Sequence, residues 1–453
     1  MTSPLTALAN LISSSVQTLE SAYSKEGLAF PSLDEPFRPG PLDNDAAIMA
    51  ATHVIIAAAH QLIATVRSPM DTIFDYAPSM FMSASLGLAV DVDVPDVLKD
   101  AGPQGLHVKE IGEKVDIEGE KLARILRYLA TRHVFKEVAP DVFANNRVSS
   151  ILIKTRPLED LKSDHGKLTK YDDSGIPAMV GHMTDDGLRA SAYITTYLKG
   201  NPKDSESPFN LGWNTKQSIW EWFEEPGNEW RGRRFVSAMT GGAALFPSTI
   251  FTDGFDWKAL KEGSVVVDVG GNVGTVTLTI AKSFPHLKYI VEDQEKVIST
   301  SAHKFWEEQS PESLTSGQVS LKVQNFFEPQ AVKNAAVYFM RMVLHDWPNS
   351  KCIEILKAIR AAAGPTSKLV VFDIIMPYAC PDPAGLPPPP FPLLANLGLP
   401  VGGFLTAVDL QMLNLVNGQE RTLSQFVELG KATGWKLEGV KPGVLAALEF
   451  SAV

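Results

Sequence analysis

One histidine, two later carboxylates and a glycine-rich turn are the residues of this chain whose types and spacing suit chemistry. His345 closes the apolar run Val337–Leu344, in which Tyr338, Phe339, Val343 and Leu344 predict a buried strand. Ligands of open α/β sheets bind beyond the carboxyl ends of the strands, so a histidine here points into a site. With an unperturbed pKa of about 6.5, imidazole is well matched to taking a proton near neutral pH. Such a base needs an orienting carboxylate, because it must present one nitrogen and then carry positive charge. Asp373 ends the next apolar run, LVVFDIIMP, and Glu420 sits in the turn NGQERT, so either is a candidate partner. Asp346 reads instead as the N-cap of a helix entered at Pro348.

The glycine turn lies upstream, in VVVDVGGNVGTVTLTIAKSFPHLKYIVED from Val265 to Asp293. Ser264–Val267 predicts a short strand buried on both faces, and Gly270 with Gly271 ends it. Val276, Ile280 and Phe284 recur every four residues, so a helix follows Gly274 and stops at Pro285. A helix N-terminus behind glycines suits a polar or anionic group approached by bare backbone. The dinucleotide fingerprint G-x-G-x-x-G fails in either register, since Asn272 or Val273 takes the middle glycine position. Asp268 before the turn and Asp293 after the second strand suit a ligand with an ammonium group and a ribose diol, which S-adenosylmethionine has.

These elements need a scaffold. At 453 residues and 45% hydrophobic content the chain exceeds one ordinary core, and two or more domains are expected. A net charge of −11 argues against a general nucleic-acid or anionic-membrane surface. Cys352 and Cys380 give no disulfide framework, and a cytoplasmic location is expected. Ala46–Val66, interrupted by His53, His60 and Gln61, predicts a buried helix with no membrane insertion. Leu5, Leu8, Leu11 and Ile12 predict an amphipathic helix, followed by a proline-rich arm over 27–42 that leaves packing on a partner subunit or on its own chain open. Over residues 81–150 two helices and a hairpin around Pro140 and Asp141 form a winged-helix pattern. Its arginines, interleaved with leucines, describe a solvated helix face rather than a DNA reader. In the aromatic-rich stretch 172–257, Phe235, Met239 and Phe246 are candidates to line a flat aromatic substrate site, as is Met412 further on.

DVGGNVG, the acidic pair at 292 and 293, FMRMVLHDW, VVFDIIMP and DLQMLNLVNGQERT stand in the order seen in plant- and fungal-type S-adenosylmethionine-dependent small-molecule O-methyltransferases, and the chain resembles that family over roughly 75–453. The resemblance implies an α/β class I methyltransferase fold with a Rossmann-like seven-stranded sheet and a mainly helical N-terminal dimerisation domain. It implies a homodimer, His345 as general base flanked by Asp373 and Glu420, and no metal. Around the cofactor it sets Gly270, Asp293, Asn325 and Arg341; Asp268, Gly271 and Gly274 of the turn, with Phe326, are candidates beside them. Asn325 stands where the family usually has Asp, Arg341 where Lys is common, and Asp373 is one carbon shorter than the usual Glu. The expected domains are 1–45 (helix and arm), 46–255 (dimerisation and linking helices) and 256–453 (catalytic). A second expectation on the same fold is a pericyclase or cyclase that uses the bound sulfonium without methyl transfer. The proline-rich insert 379–400 is expected as a solvated loop, with a rigid lid or spacer as the alternative.

Overall fold

The computed structural model describes residues 3–163, 168–200, 203–243, 248–382 and 388–453. Two compact units emerge: Met1–Leu245 with Ala379–Pro381 and Pro387–Phe404, and Phe246–Tyr378 with Asp382–Leu386 and Leu405–Val453.

The first unit is mainly helical. α1 (Pro4–Lys25) starts where Ser3 caps the Thr6 N–H, with proline in the first turn, and α2 (Ala46–Val66) starts where Asp45 accepts from Ala47 and Ile48. The two helices pack as a hairpin, burying Leu8 against Ala57, Ala58 and Leu393. Ala46–Val66, expected as a buried helix, buries only Ile48, Ala51, Ala57 and Ala58 within the chain. α3 (Pro69–Tyr76) and α4 (Met80–Asp91) follow. Ala46–Val66, Pro69–Asp91 and Leu399–Val416 are long and apolar enough to cross a membrane by length and composition alone. The proline-rich arm docks on its own chain: Arg147 N–H donates to Leu33 O, Phe37 N–H to Ser150 Oγ, and Lys136 pairs with Asp34 at 2.8 Å.

The winged-helix pattern is present. β1 (Leu106–His107), α5 (Val108–Val115), α6 (Gly119–Ala130), β2 (Lys136–Ala139) and β3 (Val142–Ala144) form it, with sheet order β1-β3-β2. Leu122, Leu126 and Leu129 of α6 are fully buried, while Arg127 on the other face pairs with Glu137 and Asp141. Further along, α7 (Glu229–Ala243) packs on the helix Gly175–His182.

The second unit is built on a seven-stranded sheet of order β6-β5-β4-β7-β8-β10-β9. Its strands are β4 (Val265–Val269), β5 (Lys288–Asp293), β6 (Val319–Val323), β7 (Val337–Arg341), β8 (Lys368–Asp373), β9 (Trp435–Lys441) and β10 (Ala446–Ala452). The first five are parallel, and β10 runs antiparallel to β8 and β9. β4, β7 and β8 are near-continuous buried runs, as strands covered on both faces require. Between β4 and β7 the strand order reverses, so the carboxyl ends of these strands mark the ligand crevice. α8 (Thr275–Ser283) follows β4, α9 (Asn349–Ala362) follows β7, and α10 (Phe404–Val416) with α11 (Leu423–Thr433) precedes the final hairpin.

The insert after β8 departs from expectation in part. Over 388–400 it stays largely solvated, with Phe391 and Leu399 exposed, but it is also docked: Gln61 of α2 donates to Pro392 O and accepts from Leu394 N–H, and Leu393 is buried on the α1–α2 hairpin. Residues 383–387 lie outside those described.

Candidate active site

The glycine turn forms as its residue types require. Gly270 has φ +71° and Gly274, the N-cap of α8, φ +88°, conformations that side chains rarely adopt. A Cβ at Gly274 would meet Trp306 Nε1 at 2.8 Å, and one at Gly271 would meet the Asp268 carboxyl at 2.4 Å. Both Gly270 and Gly271 donate their N–H groups to Glu292 O, which ties the turn to β5. Asp293, at the end of β5, accepts from Asn272 N–H at 2.8 Å, so its carboxylate stands at the turn. Asp268 is buried beneath it, accepting from Thr277 Oγ1 at 2.6 Å, and burial pushes its carboxyl up to about 7. A Cβ at Gly270 would lie 3.2 Å from Val343 and 3.5 Å from Phe326. The turn therefore sits one contact from the segment that carries His345. Asn325 caps its own loop by accepting from Phe327 N–H, and Phe326 stands edge-on to Trp347 at 6.0 Å.

His345 lies in a single 3₁₀ turn, Leu344–Asp346, because β7 ends at Arg341 rather than continuing to Leu344. Met342 breaks the strand with φ +53°, its N–H donating to Phe372 O. His345 is buried; its Nδ1 donates to Glu420 Oε1 at 2.7 Å. Nδ1 is thereby committed, and Nε2 is the nitrogen left for substrate. Asp346 lies 3.6 Å from Nε2. It is not the helix cap expected of it: Pro348 is the N-cap of α9, with no side-chain cap bond. Asp373 makes no hydrogen bond to His345, yet ligand atoms of His345, Asp373 and Glu420 all lie within 4.8 Å of one another. Such a triangle could hold a metal ion, and the Nδ1–Glu420 bond fixes the orientation of the imidazole within it.

Electrostatics bind these groups into one titrating cluster. Burial alone would push His345 down, but the carboxylates of Asp346, Glu420 and Asp373 outweigh it and raise the imidazole to about 10. Burial raises Asp373 to about 7 and also raises Asp346. Protons in such a cluster belong to the group, and at neutral pH the imidazole holds one. Arg341, at the end of β7, is held below its usual range by burial despite the charges of Asp373 and Asp268.

Of the remaining candidates, Phe235 and Met239 belong to the first unit and Met412 to the second. Phe235, on α7, is engaged edge-on with His182 at 5.3 Å and with Trp220 at 5.2 Å, while Met239 is half-exposed on the same helix. Phe246 lies outside the described residues. Met412 is on α10, one helical turn after Asp409, which accepts the Glu420 N–H at 2.8 Å. Two residues escaped the sequence analysis: Asp409, and Arg421, which is fully buried beside Glu420. Arg421 stood in plain view in NGQERT, and a charge next to the base's partner was the available signal.

S-adenosylmethionine fits these residues, since the turn offers bare backbone where a Cβ would intrude and a carboxylate at the end of the second strand. Residues 218–436 match the family described as O-methyltransferase domain, and residues 74–155 the O-methyltransferase dimerisation domain. An O-methyltransferase of Armillaria gallica is 37% identical, aligned over 97% of this chain and 96% of its own length. The 4-O-methyltransferase 1 of Phanerochaete chrysosporium is 34% identical over 96% of this chain and 95% of its own. Among solved structures, the mitomycin 7-O-methyltransferase MmcR matches with TM-score 0.64 and 22% identity, covering 87% of this chain and 99% of its own.

Proposed function

The chain belongs to the family of S-adenosylmethionine-dependent O-methyltransferases, and from that premise we propose that His345 is the general base acting on a substrate hydroxyl. The enzyme methylates oxygen on a small molecule. A cofactor bound at the glycine turn supplies an electrophilic sulfonium methyl and a positive charge that lowers the proton affinity of a nearby imidazole. Gly270, Gly271, Gly274, Asp293, Asn325, Phe326 and Arg341 would hold it, with Asp268 supporting the turn from beneath. The carrying observation is the 2.7 Å bond from His345 Nδ1 to buried Glu420, which fixes the tautomer and leaves Nε2 to accept the hydroxyl proton. Glu420 then balances the imidazolium, and Asp373 adds a second carboxylate behind it.

A phenol of pKa about 10 is mostly neutral at pH 7, so a positioned base contributes on the order of 10² to 10⁴ in rate. The substrate class we infer is a hydrophobic aromatic or polyketide-type secondary metabolite, with Met412 lining its site. A homodimer forms through the dimerisation region, where Phe74 and Phe81, with Ile73 just ahead of it, stand exposed on the single chain. These faces are better suited to a second copy than to lipid. The free thiols Cys352 and Cys380 suit the reducing cytoplasm.

Deuteromethyl-labelled cofactor with a panel of phenolic substrates tests the reaction. Labelled product from the native enzyme, falling at least about 100-fold in His345→Ala, is expected. Rearranged or dehydrated product without label would overturn methyl transfer.

A further inference from the structure

Three separate segments bring the site together: the 3₁₀ turn with His345, the end of β8 with Asp373, and the turn before α11 with Glu420. One residue touches all three. Arg421 is 0% exposed, and no carboxylate of a described residue pairs with it within 4.0 Å. Its guanidinium is spent on the histidine segment. Nη1 donates to Leu344 O at 2.7 Å and to Gln419 O at 3.2 Å, Nη2 to Trp347 O at 2.7 Å, and Nε to Asn349 Oδ1 at 3.0 Å. Its backbone reaches the third segment, bridging in parallel to Ile375 and accepting Met376 N–H at 2.9 Å.

The same turn meets His345 directly. Gln419 N–H donates to His345 O at 2.8 Å, and a Cβ on Gly418 would lie 2.1 Å from that oxygen. Burying an arginine with neutral acceptors is expensive, and its rigid planar fork places separate nitrogens on Leu344 O and Trp347 O on either side of the histidine at once.

We propose that Arg421 is the positioning residue of this site, fixing His345 against Glu420 and Asp373 by pinning their three segments in one register. It rests on His345 being the base. The charged groups facing the imidazole are Asp346 from its own turn, Glu420 from the turn before α11, and Asp373 from β8; Arg341 of β7 and Arg421 act on Asp373, and Asp409 of α10 bonds the Glu420 backbone. Arg421 is a cation that lowers the proton affinity of Asp373 and Asp409.

Two variants separate shape from charge. Arg421→Lys keeps the charge but cannot span both carbonyls, so kcat falls about 10- to 100-fold while the acidic limb of the pH–rate profile and the KM for S-adenosylmethionine stay in place. Arg421→Gln withdraws the cation, so the cluster holds its protons to higher pH and the acidic limb moves upward. Asn349→Ala, at an exposed residue, releases only the Nε bond and is expected to fold normally with a several-fold smaller kcat. A purely structural arginine would instead lower the melting temperature in every variant and leave kcat of the folded fraction and the limb unchanged, which overturns the proposal. Full kcat in Arg421→Lys with His345→Ala inactive overturns the positioning role alone. Activity surviving in His345→Ala overturns both this role and the base.

Discussion

Glu420 acts through two oxygens in different circumstances. Oε1 accepts from His345 Nδ1, whereas Oε2 is buried with no hydrogen-bond partner among the described residues. A buried, half-satisfied carboxylate next to an imidazole strongly favours the imidazolium, which is one reason His345 is raised to about 10. The imidazole is therefore charged in the free enzyme at pH 7, and if it is the base as proposed, kcat/KM, which reports the free enzyme, should rise with pH above neutrality. Glu420→Gln keeps an acceptor for Nδ1 but removes the charge. The imidazolium loses its support, the His345 pKa falls, and the acidic limb of kcat/KM moves to lower pH. The maximal rate falls about 10- to 100-fold, because the imidazolium formed during proton transfer is no longer balanced. Initial rates between pH 6 and 10 check both effects; a limb moving upward would contradict the assignment. The histidine, its partner and the second carboxylate were legible because motif, strand end and residue type coincide. Asp346 was not: a carboxylate two residues ahead of a helix-entering proline has the signature of a cap, and only the 3₁₀ turn aims it at Nε2.

Element by element, legibility followed locality. The strand, glycine turn and helix of 265–283 form as their own periodicity and glycines dictate. The strap over 388–400 has no period to read, and its partner Gln61 is 331 residues away. Length and proline content could suggest stiffness but not a docking place. Gln61 is the half-buried link in this arrangement, serving one carbonyl and one N–H of the strap. Gln61→Leu leaves Pro392 O unpaired, and a loss of about 1–3 kcal/mol in the stability of the strap's docked state is expected. Limited proteolysis reads this directly: cleavage within 379–400 should speed up in the variant before any cleavage of the sheet strands. Equal cleavage rates would mean that the apolar seat of Leu393 suffices.

At the scale of the whole molecule, one apolar stretch of the first unit stands bare on the single chain. Met70, Ile73 and Phe74 are 68%, 64% and 68% exposed, and Met80 and Phe81 continue the same apolar stretch. Soluble chains rarely present such a stretch to water unless something covers it. Sedimentation should give about twice the 49.3 kDa chain mass, and Ile73→Asp combined with Phe74→Asp should reduce it to one chain. Retention of the larger mass would shift the interface elsewhere on the chain. A dimerisation function was implied by resemblance before the structure, but which face was bare was not, because exposure is a property of packing and not of hydropathy.

The seating of Leu393 among Leu8, Ala57 and Ala58 makes the N-terminal hairpin and the strap a single module written in two distant pieces of the chain. Recombination that exchanges one piece with a relative and keeps the other would separate surfaces matched to each other. Chimeras of enzymes built on this plan should therefore be cut so that residues 1–66 and 379–404 come from the same parent, even when the catalytic strands between them come from another.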